Sequence, residues 1–184
     1  KMRYARRVQV MSENISTYVV SHAETSNCGS YRFSLTREWA KTSRITFVML
    51  NPSTADAFTD DPTIRRCVGF ARHWGAGSVQ VVNLCAFRAT HPEDMFSSND
   101  PVGPNNYKHV STAIRDADKV IAAWGNDGAR IIRSNAKAFD IATAVLSCGK
   151  VFSLGALTKK GQPWHPLYRS YKVALVPLKG AGND

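Results

Sequence analysis

Apolar and polar positions change rhythm along the chain. Residues 17–20 and 31–35 are rich in β-favouring side chains and flank a Gly- and Asn-containing turn at 26–30, which predicts an antiparallel hairpin. From Ile45 to Leu50 the chain reads ITFVML, largely apolar without alternation, the pattern of a strand covered on both faces. That run stops at Asn51-Pro52-Ser53-Thr54. Asp61-Pro62 then supplies a cap and a first-turn proline for a helix to about Trp74, with Ile64, Val68 and Ala71 or Arg72 on one face and Gly75 and Gly77 beyond its end. Further strands are predicted at 78–84, 119–124, 151–154 and 173–177, with helices at 105–118 and, as one long amphipathic segment, 128–146.

The alternation β-α-β-α-β-α-β from Ile45 onward predicts a three-layer α/β/α sandwich with a mainly parallel central sheet of about four strands. The hairpin extends one edge of it. With 184 residues the chain is long enough for one core, so it reads as a single α/β domain over 17–184 behind a basic arm at 1–16.

Charge narrows the partners. Twenty-four Lys and Arg against 14 Asp and Glu give a net charge of +10, which points to a polyanion such as DNA or a nucleotide. Cys28, Cys67, Cys85 and Cys148 are widely spaced and contain no C-x-x-C pair, which argues against a zinc ribbon or redox motif and fits a reducing, cytoplasmic setting. No apolar run approaches the length of a membrane span, so no membrane partner is expected; protein partners are left open.

Each strand in a parallel sheet delivers its next residues to the crevice outside the carboxyl ends, where ligands bind. Here those residues are Asn51, Asn83, Trp124-Gly125 and the loop containing His165. An amide at Asn51, beside a proline-fixed turn, can orient a water or hold a carbonyl. Asn83 offers a donor and an acceptor suited to the edge of a pyrimidine-type base. A neutral His165, held between Trp164 and Pro166, can donate to an oxyanion that develops on a leaving base. Phe70, Phe87 and Trp124, with Phe58 and Trp164, are the aromatic candidates for stacking. The chain has no G-x-G-x-x-G, no G-x-x-x-x-G-K-[ST], no G-x-S-x-G and no zinc-ligand spacing among its five histidines, so no metal and no cofactor are expected.

The ordered motifs LNPSTAD, DPTIRR, VVNLCAFRAT, AWGNDG and LTKKGQPWHPLY resemble an uncharacterised bacterial and phage family known only as a domain of unknown function, over residues 31–168. In layout the chain also resembles the uracil-DNA glycosylase superfamily. LNPS at 50–53 is similar to that superfamily's first motif, Asn83 stands where its base-recognising Asn follows a later strand, and His165-Pro166-Leu167-Tyr168 is similar to its closing loop. The resemblance implies a metal-independent DNA N-glycosylase that flips a pyrimidine-type base, in DNA repair or modified-base processing. It implies that Asn51 positions the attacking water and His165 stabilises the base anion, while Asn83 reads the base and Phe70 stacks on it. Pro52, Ser53 and Trp124 complete the base-binding set, and Arg65, Arg66, Arg88, Lys159 and Lys160 hold phosphates. Two alternatives stand beside this expectation: a non-catalytic nucleic-acid or nucleotide binder using the same pocket, and an enzyme acting on free nucleosides or nucleotides.

Overall fold

The computed structural model describes residues 18–178; the expected basic arm at 1–16 lies outside them. Twelve elements follow in order: β1 (Val20–Thr25), β2 (Arg32–Glu38), β3 (Arg44–Met49), α1 (Pro62–His73), β4 (Ser78–Asn83), α2 (Pro92–Phe96), α3 (Asn106–Arg115), β5 (Lys119–Ala122), α4 (Gly125–Ser134), α5 (Ala136–Leu146), β6 (Val151–Leu154) and β7 (Leu175–Pro177). A short 3-10 turn spans Pro166–Tyr168. The fold is mixed α/β.

The seven strands among the described residues form one sheet in the order β1-β2-β4-β3-β5-β6-β7. β4, β3, β5 and β6 run parallel, whereas the β1–β2, β2–β4 and β6–β7 pairings are antiparallel. The expected sheet of about four mainly parallel strands is thus a larger, mixed one. Antiparallel strands close both ends, and the hairpin occupies one edge as anticipated, its pairing running from Val20 with Glu38 to Thr25 with Arg32; Thr17 lies outside the described residues.

β3 lies in the centre because its side chains are apolar on both faces. Ile45, Phe47 and Met49 join Ile64, Cys67 and Phe70 of α1 in one buried cluster. Val48 and Leu50 join residues of α3 and α5 in a second, among them Ala113 and Ile141. Helices therefore cover both faces of the sheet. Thr46, the polar member of β3, is fully buried and donates to Ala113 O at 3.2 Å, so its hydroxyl does not go unpaid.

Local chemistry sets the helix ends. Asp61 caps α1, its carboxylate accepting from Ile64 N at 2.8 Å, with Pro62 in the first turn as expected. The predicted single helix at 128–146 is two helices. Asn135 leaves helical geometry (φ −139°, ψ 114°) and turns its side chain to accept from Ala138 N at 3.2 Å. The apolar rhythm runs through that break unaltered, which is why periodicity alone reads one helix. Among the described residues no helix is long and apolar enough to cross a membrane.

One irregularity in β2 matters for the site. The β1–β2 register shifts so that Glu24 faces Ser34 but Thr25 faces Arg32, leaving Phe33 in a bulge. Phe33 stacks on His109 of α3 at 4.5 Å, whereas Arg32 and Arg37 both reach the segment between β3 and α1. In a regular strand two residues five apart would point to opposite faces. The bulge puts both arginines on one.

Candidate functional site

A crevice of about 530 Å³ opens at the carboxyl ends of β3 and β5. Its walls come from the segments after β3 and β4, Arg32 of β2, the amino-terminal turns of α1 and α4, and the loop after β6. Of the expected site residues, Asn51, Ser53, Trp124 and His165 line it.

Asn51 is held by its donors. Its Nδ2 gives hydrogen bonds to Ala89 O at 2.8 Å and Pro52 O at 3.1 Å, and Ala89 N returns a bond to Pro52 O at 2.9 Å. The two carbonyls decide which way the amide faces and leave Oδ1, an acceptor, as its free end. An acceptor in that position can hold a water.

His165 presents the complementary group. It opens the 3-10 turn, and its Nδ1 accepts from Leu167 N at 3.4 Å, so in the neutral ring the proton sits on Nε2. Burial lowers its pKa below the ordinary histidine value, with the Asp61 carboxylate pulling partly the other way. The imidazole is neutral at physiological pH and offers Nε2–H as a donor.

Trp124 forms a nearly closed wall at 3% exposure, its Nε1 donating to Gln162 Oε1 at 3.1 Å. This bond, with Gly125 N to Pro163 O at 2.9 Å and Thr158 Oγ1 to Asn126 Oδ1 at 2.7 Å, straps the loop after β6 across α4. The indole lies so close over α4 that a Cβ at Gly128 would collide with it. Glycine is required there for packing.

Several expected roles need correction. Phe70 is fully buried, packed against Trp74 at 5.1 Å and Tyr171 at 4.9 Å, so it belongs to the core under α1 and does not offer a ring to the crevice. Position 70 falls within the buried arc of α1 with Ile64, Cys67 and Ala71. Arg66 stacks its guanidinium 3.8 Å from the Tyr171 ring centroid and donates to Arg169 O, which commits it to anchoring the chain after the 3-10 turn rather than to phosphate. Arg65 is exposed and donates to Asp60 O. Pro52 is buried and serves through its carbonyl. Arg88 is half-buried outside the crevice wall; Lys159 and Lys160 are exposed and follow Thr158, a wall residue.

Asn83 ends β4 at 1% exposure and does not line the crevice. It is the register partner of Met49, which does. Among the described residues neither its Nδ2 nor its Oδ1 has a hydrogen-bond partner. A buried amide left unpaired at both ends costs a few kcal/mol, on the order of 1–3 per group, and is rare in folded proteins.

Among the wall residues not foreseen as site residues are two charged ones that bear on the chemistry. Arg32 is 1% exposed, yet lines the crevice; Asp61, foreseen only as a helix cap, lines it too. For Asp61 the Asp-Pro signal gave the location without the role. Arg32 carries no signal at all, since nothing in a basic chain marks one arginine as buried.

Residues 32–167 match the family described as "Protein of unknown function (DUF1643)". No curated protein and no solved structure matches the chain. The matched span runs from Arg32 to Leu167 and so takes in every residue lining the crevice except Tyr168. With well over half of its length in that match, the chain belongs to the DUF1643 family.

Proposed function

We propose that this protein is a DNA glycosylase-like enzyme that takes a pyrimidine-type base into the crevice and hydrolyses its N-glycosidic bond. The observation that carries the reading is the complementary pair in one crevice: Asn51 with only an acceptor free and neutral His165 with a donor free. Hydrolysis needs both, an acceptor to hold the water and a donor for the departing base. The water held on Asn51 Oδ1 attacks the sugar C1′, the C1′–N bond breaks, and its electron pair leaves with the base. His165 Nε2–H hydrogen-bonds the oxygen on which that charge gathers. The proton released by the water passes to the Asp61 carboxylate and from there to the base, giving free base and a hydroxyl on the sugar.

The unpartnered amide of Asn83, next to crevice-lining Met49, supports base reading once a small movement brings a base edge to it. With Phe70 in the core, stacking falls to Trp164 and Tyr168, both at the crevice; Tyr168 is 73% exposed. Exposed Lys159 and Lys160 beside the wall fit a phosphate backbone. The reading includes a uracil-DNA glycosylase-like three-layer arrangement, supported by the run of four parallel strands with helices on both faces.

The test is incubation with oligonucleotides carrying uracil, 5-hydroxymethyluracil and other altered pyrimidines, followed by alkaline cleavage of abasic sites. Asn51→Ala should cut at least about 100-fold more slowly while still binding DNA. No abasic product with any base would sink the enzyme reading. Salt-sensitive DNA binding in that case would leave the non-catalytic binder.

A further inference from the structure

β2 brings two arginines under the segment between β3 and α1, and only one of them is completed by the protein. Arg37 forms a salt bridge to Asp60 at 2.8 Å and donates to Asp56 O and Thr36 O. Arg32, equally buried, donates through Nη1 to Ala55 O at 2.6 Å. Among the described residues its Nε has no partner, and no carboxylate lies within 4 Å of its guanidinium. It nonetheless lines the crevice.

A buried, unpaired cation is costly unless something with negative charge completes it. Burial lowers the pKa of Arg32 to about 10, with Arg37 and Arg88 adding like-charge pressure and Asp61 and Asp56 opposing it. It therefore stays charged at neutral pH. Asp61 is close enough to favour that charge but does not close an ion pair, so the guanidinium keeps hydrogen-bonding capacity in a largely desolvated wall.

We infer that Arg32 is an oxyanion receptor of the crevice, donating to a ligand oxygen that carries negative charge. This rests on the proposed glycosylase reading for its source: the oxygen is that of the base departing as an anion, and Arg32 acts with His165 to stabilise it. Asp61 neutralises part of the cation while the base is neutral, so Arg32 gains most as charge develops. That is the condition for lowering a barrier rather than merely tightening binding. A nucleotide phosphate is the other source of the same chemistry.

The experiment is calorimetric binding to the full chain with ligands that need no cleavage. The probes are uracil, 5-nitrouracil (similar in shape but ionised near neutral pH), inorganic phosphate and deoxyuridine 5′-monophosphate against deoxyuridine. Wild-type protein should bind 5-nitrouracil at least about 10-fold tighter than uracil above the probe's pKa, and the preference should vanish when the probe is protonated. Arg32→Gln should reduce it to about 1, and Arg32→Lys should retain part of it. A preference confined to the monophosphate and inorganic phosphate, and lost in Arg32→Gln, would support the receptor and assign it to phosphate. Equal affinity for charged and neutral probes in the wild type would overturn the inference, as would a preference that survives in a folded Arg32→Gln. Because the wild-type arm stands alone, a variant that fails to fold does not rescue the inference. Anion-selective binding with no base excision from any oligonucleotide would fault the glycosylase reading and not the receptor.

Discussion

Arg32 and Arg37 leave the same strand, are equally buried at 1% exposure, and reach the same segment after β3, but the protein finishes only one of them. Arg37 has a carboxylate and two carbonyls around its guanidinium. It ties β2 to Asp56 and Asp60 and thereby fixes the stretch that carries Asn51 at one end and Asp61 at the other. Arg32 has one carbonyl, an orphan Nε and a crevice in front of it. Burial and charge are the same in the two cases. What separates a structural cation from a binding one is whether the interior supplies its counter-charge.

Breaking the finished side should have the largest effect. Asp60→Ala leaves Arg37 as a buried cation with no carboxylate partner, and is expected to cost about 3 kcal/mol or more in urea denaturation. In a chain of this size that corresponds to a fall in melting temperature of roughly 6–12 °C. A loss below about 1 kcal/mol would show that Arg37 is no better completed than Arg32. The opposite outcome is expected at the unfinished side: Arg32→Met removes a desolvated charge and one carbonyl bond together, so stability should change by no more than about 1 kcal/mol. A destabilisation as large as that of Asp60→Ala would make Arg32 a strut.

The smallest effect should be the pH response of His165, on the crevice side of the comparison. Its folded-state pKa lies below the ordinary value near 6.5, chiefly through burial. The folded state thus binds fewer protons than the unfolded one between those two values, and stability must rise with pH there. The contribution is complete above about pH 6.5 and is lost as pH falls through the lower folded value. Denaturation curves from pH 8 down to pH 5 should show this decline, and His165→Gln should flatten it. An unchanged slope in the variant would place the titrating group elsewhere.

Much of the molecule was legible before the fold was seen. The largely apolar run at 45–50 reads as a strand buried on both faces because it does not alternate and is too short, before Asn51-Pro52, to make a helix, and it is the central strand. Asp61-Pro62 specifies the start of α1 through cap geometry that is purely local. Because residues after parallel strands emerge on one side of the sheet, Asn51, Trp124 and His165 could be assigned to a common crevice by order alone, and they line it. Asn83 obeyed the same rule for its place at a strand end, but its burial depends on packing against neighbouring segments.

Other features were decided only by tertiary structure. The mixed seven-stranded sheet depends on where edge strands dock, and edge pairing follows exposed backbone groups more than side-chain type. Asn135 ends α4 by its extended backbone and caps α5 with its side chain, a local choice below the resolution of hydrophobic periodicity. Phe70 was an aromatic near a motif in sequence and became a core residue through its turn of α1. That Arg32 shares a face with Arg37 rests on a one-residue bulge that sets which way a strand's side chains face, and their difference on Asp60 pairing with Arg37 alone. Local sequence determines which residues form strands, caps and strand ends because those preferences act within a few residues. Whether a buried charge finds its partner inside the protein or waits for one is a three-dimensional fact, settled by packing between segments distant in the chain.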